Sequence, residues 1–152
     1  MDVLNRRKGI EIGIPEMDRQ HRSMMDGFEF LRRAPRRHAS DVRELHSILG
    51  EVQAHFEWEE SQMSKTQYPD KARHGIDHAL QLSNLKDLLK YVEEGHERLD
   101  EDFFLACLGW TDRHIRSLDA DFGLFLSDRE AWDLQQELKA WEYEERFSGM
   151  AD

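Results

Sequence analysis

Residues 55–78 read His-Phe-Glu-Trp-Glu-Glu-Ser-Gln-Met-Ser-Lys-Thr-Gln-Tyr-Pro-Asp-Lys-Ala-Arg-His-Gly-Ile-Asp-His and carry two pairs of metal-ligand residues. His55 and Glu59 are four residues apart, and so are His74 and His78. On a helix, side chains at this spacing stack on one face, so each pair can close on one metal ion. This stretch therefore predicts two helices that present ligands to each other.

A turn separates the two pairs. Tyr68-Pro69-Asp70 predicts the end of one helix, since proline disfavours the helical conformation in the residue before it, and Asp70 offers an N-cap to the next helix. Outward from this turn, apolar residues recur at three- and four-residue spacings in four segments. They predict helices from about Met17 to Ala34, from a capping box at Asp41 to the turn, from Asp70 to Gly95, and from about Leu99 to Leu126.

Four amphipathic helices with short connections predict an all-α protein, an up-down-up-down four-helix bundle with an extended N-terminal arm that ends at Pro15. Ser127 and Glu130 have capping-box spacing before further apolar residues, so we expect an extra C-terminal helix. Residues 1–126 would form the bundle, and residues 127–152 would be an extension of the same domain. We expect its aromatic surface to cover the bundle, to form a homodimer or to contact a partner protein.

Length and charge narrow the class of protein. The chain has 152 residues, which suits one domain, and its net charge of -11 should repel nucleic acid and anionic membranes. No apolar run is long enough for a signal peptide or a membrane span. The single cysteine, Cys107, allows no internal disulfide and is expected to be a small core residue. These features favour a cytoplasmic protein.

The first and fourth predicted helices add further ligand-type residues. His21 shares a helix face with Met17 and Met24. His114 and Asp119 are five residues apart, which places them about 140° apart around an ideal helix. They would therefore either flank two metal ions or require a local π-bulge.

The inward set predicts a metal centre. Any one of its histidines alone would more often be a hydrogen-bonded core residue. Burying five imidazoles and two carboxylates without a metal would cost several kcal/mol per unpaired ion, whereas divalent iron offsets that cost. The predicted ligands are His21, His55, Glu59, His74, His78, His114 and Asp119. The remaining histidines, His38, His46 and His96, are predicted to lie on the surface, His38 in a loop.

Four motifs resemble the hemerythrin family, most closely the bacteriohemerythrins, over about residues 10–126. They are Ile-Gly-Ile-Pro-Glu-Met-Asp-Arg-Gln-His (12–21), His-Phe-x-x-Glu (55–59), Tyr-Pro followed by His-x-x-x-His (68–78), and Trp-x-x-x-His-Ile-x-x-x-Asp (110–119). Every metal-ligand position of the family pattern is filled. Ligand type also favours reversible binding over oxidation, because neutral imidazoles dominate here and carboxylates dominate in ferritin-like oxidases.

The resemblance implies a non-haem site with two iron ions, joined by an oxo or hydroxo bridge, that binds O2 reversibly as carrier, store or delivery protein and not as an enzyme. It implies that His74, His78 and His114 hold one iron and that His21 and His55 hold the other. Glu59 and Asp119 would bridge the two. The resemblance also places four residues around the O2 pocket, although plain core packing would account equally well for Phe56 and Ile115: Phe56, Trp110, Thr111 and Ile115.

Thr111 departs from the family pattern, in which a leucine after Trp110 covers the O2 site. A hydroxyl there would admit water or bind the ligand, which keeps an enzymatic function open, and the occurrence of family members as sensory domains keeps a sensor open. The sensor would be an O2 or redox sensor that acts through a separate partner. The enzyme would be a di-iron enzyme that acts on peroxide, nitric oxide or ferrous iron. A structural zinc site is disfavoured, since such sites are usually closed and tetrahedral.

Overall fold

The computed structural model describes residues 10–35, 37–95, 99–130 and 133. Within these residues the chain forms four helices and no strand, which confirms the all-α prediction. Helix α1 spans Pro15–Arg33, α2 spans His38–Thr66 and α3 spans Lys71–Glu93. Helix α4 begins as Glu101–His114, passes through a π-helical turn at Ile115–Asp119, and continues as α-helix over 120–130.

The four helices pack as a bundle. Consecutive helices are joined by short connections, which make them antiparallel neighbours. Helix α2 packs on α1 and on α3, and α1 also packs on α4. Helix α3 meets α4 through the hydrogen bond between Asp77 and His114. No helix in the described part of the chain combines the length and the apolar composition that crossing a bilayer would require.

The predicted turn between the ligand pairs is confirmed. Helix α2 ends at Thr66, and Gln67 follows in the left-handed conformation with φ of 56°. Pro69 prevents further helix, and α3 begins after Asp70. Asp70 occupies the N-cap position as predicted, but its side chain makes no capping hydrogen bond. At the other end of α3, Gly95 has φ of 75°, a conformation that glycine adopts without strain, in agreement with the predicted stop.

Two predicted helix boundaries are wrong. Helix α2 begins three residues before Asp41, because the Asp41 carboxylate accepts a hydrogen bond from the backbone N–H of Arg37 (3.2 Å) instead of capping a later start. Helix α4 does not end at Leu126 with a new helix at Ser127; the backbone stays helical through 120–130. No glycine or proline lies between Leu126 and Glu130 to end it. The rest of the predicted C-terminal helix, beyond residue 130 apart from residue 133, lies outside the described residues.

The described part of the N-terminal arm is extended and is attached to α1. The Asp18 carboxylate accepts hydrogen bonds from the backbone N–H groups of Ile12 (2.8 Å) and Gly13 (3.2 Å). Gly13 turns the chain with φ of 85°, and Pro15 then occupies the first turn of α1, where no N–H donor is needed. Ile10 is buried in the core, so the arm covers one edge of the bundle.

Two apolar clusters lie on either side of the ligand-type residues. The larger cluster includes Met24, Phe56 and Ile115. The smaller cluster is formed by Met17, Met63, Tyr68 and Phe122. Along α1, α2 and α4 the chain passes from one cluster to the other, and the ligand-type residues lie between them. This layered core keeps the polar residues away from both ends of the bundle.

Candidate metal centre

The bundle brings all seven predicted ligands into one buried group. Their donor atoms form two sets, each with all atoms within 4.8 Å of one another, and Asp119 belongs to both sets. The first set contains three imidazoles and two carboxylates: His74, His78, His114, Glu59 and Asp119. The second set contains His21, His55 and Asp119. Every one of these residues is buried, so water does not compete for their lone pairs.

The π-helical turn decides how Asp119 takes part. In an ideal α-helix its side chain would point away from that of His114, but an i→i+5 turn places the two on one side. The His114 Nε2 atom accordingly lies 2.9 Å from Asp119 Oδ1. The other carboxylate oxygen, Oδ2, lies 3.0 Å from His21 Nε2. Asp119 therefore contacts both sets of ligands, one with each oxygen.

The spacing between donor atoms fits a metal ion. Two ligand atoms about 2.1 Å from one ion and at right angles to each other are about 3.0 Å apart. His114 Nε2 lies 3.2 Å from His74 Nε2 and 3.1 Å from His78 Nε2, and His74 Nε2 lies 3.0 Å from Asp119 Oδ1. The distances from Glu59 are longer: its Oε2 atom lies 3.3 Å from His78 Nε2 and 3.6 Å from His55 Nε2. The nitrogens converge as they would around a cation.

Many donor atoms of this group lack an ordinary hydrogen bond. Both oxygens of Glu59 and of Asp119, and Nε2 of His21 and of His55, are buried without a partner in hydrogen-bond geometry. Leaving so many buried polar atoms unpaired is costly, and native proteins avoid it unless a ligand satisfies them. The donor set of imidazoles and carboxylates is one that iron accepts. The residues present therefore fit the metal that the sequence predicts.

Burial tunes the protonation of the group. It lowers the pKa of His55 to about 3 and that of His78 to about 2, so both imidazoles are neutral near pH 7 and offer a lone pair. Burial and the nearby Asp119 charge hold the pKa of Glu59 well above its usual range. Although burial opposes it, the close imidazoles of His114, His21 and His74 hold the pKa of Asp119 well below its usual range.

Three ligand-type histidines are oriented by hydrogen bonds at Nδ1, the ring nitrogen that faces away from the cluster. The sequence did not predict these bonds. The Nδ1–H group of each ring donates to a side chain of the preceding helix, which leaves Nε2 to face the cluster. The pairs are His55 with Gln20 Oε1 (2.8 Å), His78 with Glu60 Oε1 (2.9 Å) and His114 with Asp77 Oδ2 (2.6 Å). Sequence position could have identified these acceptors, since each one is directly next to a predicted ligand in the sequence.

A small cavity of about 10 Å³ adjoins His21, His114 and Asp119. All four residues that the resemblance places around the O2 pocket line it, together with apolar side chains: Phe56, Trp110, Thr111 and Ile115, with Met24, Phe28, Val52 and Leu85. Phe56 stacks on the His78 ring with 3.8 Å between ring centroids, and Trp110 stacks on the His114 ring with 4.7 Å between ring centroids. The Thr111 hydroxyl donates to the Cys107 carbonyl (2.9 Å), so its proton is already engaged by the helix.

The structure also tests the predictions for the histidines outside the ligand set and for the cysteine. His46 is exposed, as predicted, and pairs with Glu93. His38 is exposed but forms the first residue of α2 and not part of a loop. His96 lies outside the described residues. Cys107 is buried as predicted, and burial raises the pKa of its thiol to about 12, which keeps it unreactive near pH 7.

A helical bundle with a buried cluster of imidazoles and carboxylates defines a class of metal-binding four-helix proteins. Residues 12–123 match the family model described as the hemerythrin HHE cation binding domain. This chain belongs to the hemerythrin family, as its motifs indicate.

Two relatives support the assignment. The chain is 29% identical to a bacteriohemerythrin of Methylococcus capsulatus (strain ATCC 33009 / NCIMB 11132 / Bath) over 112 residues, which are 72% of this chain and 86% of the relative. Its fold is similar to a crystal structure of wild-type hemerythrin, with a TM-score of 0.68, 26% identity, and coverage of 72% of this chain and 85% of that chain.

Proposed function

We propose that this protein binds O2 reversibly at a pair of iron ions held between its four helices. The observation that carries the proposal is the convergence of five buried imidazoles and two buried carboxylates beside a largely apolar cavity, which Gln81 and Thr111 also line. His74, His78 and His114 would hold one iron, and His21 and His55 the other. Glu59 and Asp119 would bridge them. When bound, the iron pair supplies the redox chemistry by which O2 is taken up and released.

The protein contributes an environment in which that chemistry is reversible. Met24, Phe28 and Val52 line the cavity with apolar surface, which leaves few polar groups to hold water there. The neutral imidazoles of His55 and His78 remain available as ligands near pH 7. Because the Thr111 hydroxyl donates a hydrogen bond to the Cys107 carbonyl, it is not free to donate one to a ligand in the cavity. These features favour a binding protein over an enzyme.

The location and assembly of the protein belong to the same proposal. We place it in the cytoplasm, where Cys107, a buried free thiol, would stay reduced. Residues 127–152 are proposed to extend the bundle domain and to provide the surface for a homodimer or for a partner protein. A comparison of the molecular mass in solution with and without this extension would test that role.

The function is tested by an absorption spectrum of iron-loaded protein that is reduced without air, exposed to air and then degassed. A charge-transfer band that appears with air and disappears on degassing supports reversible binding. His74→Ala should lose the band, whereas His46→Ala, which removes an exposed imidazole, should keep it. A band that never reverses on degassing contradicts the proposal.

The cavity position of Thr111 favours one alternative, a di-iron enzyme, since its hydroxyl oxygen can still accept a hydrogen bond from water in the cavity. Continuous O2 consumption in the presence of an added reductant would identify such an enzyme. Stoichiometric uptake that stops when the sites are filled identifies a carrier or a sensor.

A further inference from the structure

Three hydrogen bonds connect the four helices in order around the cluster. In each of them, a residue next to a ligand on one helix accepts from a histidine ligand on the following helix. The bonds run from His55 on α2 to Gln20 on α1, from His78 on α3 to Glu60 on α2, and from His114 on α4 to Asp77 on α3. The same kind of hydrogen bond therefore joins each pair of consecutive helices from α1 to α4.

The acceptors differ in charge between the two sets of ligands. His78 and His114, both in the three-histidine set, donate to carboxylates, whereas His55, in the two-histidine set, donates to the neutral amide of Gln20. The amide orientation is held by a second bond, because Gln20 Nε2 donates to Glu16 Oε1 at 2.6 Å. The Gln20 carbonyl oxygen, and not its NH2 group, consequently faces His55.

A carboxylate acceptor makes an imidazole a stronger electron donor than an amide acceptor does. It draws the Nδ1 proton toward itself and places a negative charge near the metal through the ring. Both effects stabilise the ion of higher charge more than the ion of lower charge, so they lower the reduction potential of the metal concerned.

We propose that Asp77 and Glu60, set against Gln20, bias the position held by His74, His78 and His114 toward the ferric state, beyond any difference that follows from the number of its ligands. This inference rests on the proposed di-iron function and goes beyond it, since it assigns three positioning residues and a direction of asymmetry. The position held by His21 and His55 would be reduced more easily. Electrons would then enter and leave the pair in a fixed order.

Reduction potentials of matched variants test this inference. Asp77→Asn removes the charge and keeps an acceptor oxygen, so the potential of the three-histidine position should rise. A tenfold loss of ferric preference is the expected scale and corresponds to about 59 mV for a one-electron couple. Asp87→Asn removes an exposed carboxylate of the same helix and should leave the potential unchanged.

The opposite change can be made at the two-histidine position without altering net charge. The double variant Glu16→Gln with Gln20→Glu exchanges the two side chains and keeps a hydrogen bond between them. It places a carboxylate behind His55, so the potential of that position should fall. A purely structural role would not move the two potentials in opposite directions. Shifts of the same sign in both variants, or no shift beyond that of Asp87→Asn, would overturn the inference.

Zinc binding to the metal-free protein gives a readout that needs neither iron nor O2. Asp77→Asn should weaken zinc affinity, measured by competition with a chelator, by about 10–100-fold, with helical circular dichroism confirming that the variant is folded. Unchanged zinc affinity also counts against the inference. If the unmodified protein binds neither zinc nor iron, both the proposed function and this inference fail. If it binds iron and O2 reversibly but the variants behave like Asp87→Asn, only this inference fails.

Discussion

Replacing Glu59 with methionine should stabilise the metal-free protein even though it removes a proposed ligand. Glu59 is fully buried, and neither of its oxygens has a hydrogen-bond partner. An unsatisfied buried acceptor costs about 1–3 kcal/mol, so the two oxygens together cost about 2–6 kcal/mol. The nearest imidazole nitrogen, at 3.3 Å on His78, offsets a small part of this. Methionine fills a similar volume without a polar demand.

We therefore expect Glu59→Met to raise the free energy of unfolding of the metal-free protein by about 1–4 kcal/mol, because it removes two unsatisfied buried oxygens and fills their space. In a protein of this size each kcal/mol raises the Tm by about 2–4 °C. Urea unfolding at neutral pH in the presence of a chelator measures the difference. Glu57→Met, at an exposed position of the same helix, should change stability by no more than about 0.5 kcal/mol.

Adding ferrous iron without air should make the unmodified protein more stable than Glu59→Met. A metal that binds only the folded state stabilises the unmodified protein, while Glu59→Met, with one proposed ligand missing, should gain less. A metal-free Glu59→Met protein that is no more stable than the unmodified one would refute the reasoning. The Glu59 carboxylate would then be satisfied by the bundle itself, and its burial would no longer point to a metal.

Three further predictions concern the cavity, an ion pair and the core. Thr111→Leu should slow autoxidation, because leucine offers water no hydrogen bond in the cavity; equal decay rates of the air-induced absorption band would contradict this. Hydrogen bonding from Arg32 lowers the pKa of Glu29, so the stabilisation is present above the ordinary pKa of 4.5 and is lost as pH falls through the lowered value. Glu29→Gln should cost roughly 1 kcal/mol at neutral pH and nothing in strong acid, and a pH-independent difference in urea midpoints would exclude that cause. Phe122→Ala, at a fully buried side chain, should cost about 3–5 kcal/mol in the same assay, whereas Leu124→Ala, 67% exposed, should cost almost nothing; similar losses would contradict the core assignment.

Local signals were enough to predict most helix boundaries but not all of them. Proline at 69 and glycine at 95 act through their own backbone restrictions, so the ends of α2 and α3 follow from sequence. Asp41 and Ser127 resemble N-caps only if the residues before them leave the helix. Those residues favour helix well enough that α2 starts earlier and α4 continues, and no local pattern distinguishes the two outcomes.

The sequence by itself determined that two pairs of ligand-type residues share a helix face, because four-residue spacing places His55 with Glu59 and His74 with His78 together whatever the rest of the chain does. It left open whether His114 and Asp119 act together. Only the tertiary structure decided this, since a π-helical turn is stable when packing against the other helices compensates for it. The partners of the imidazoles, such as Asp77 for His114, were undetermined for the same reason. Contacts between helices depend on how the bundle packs, which is a property of the whole chain.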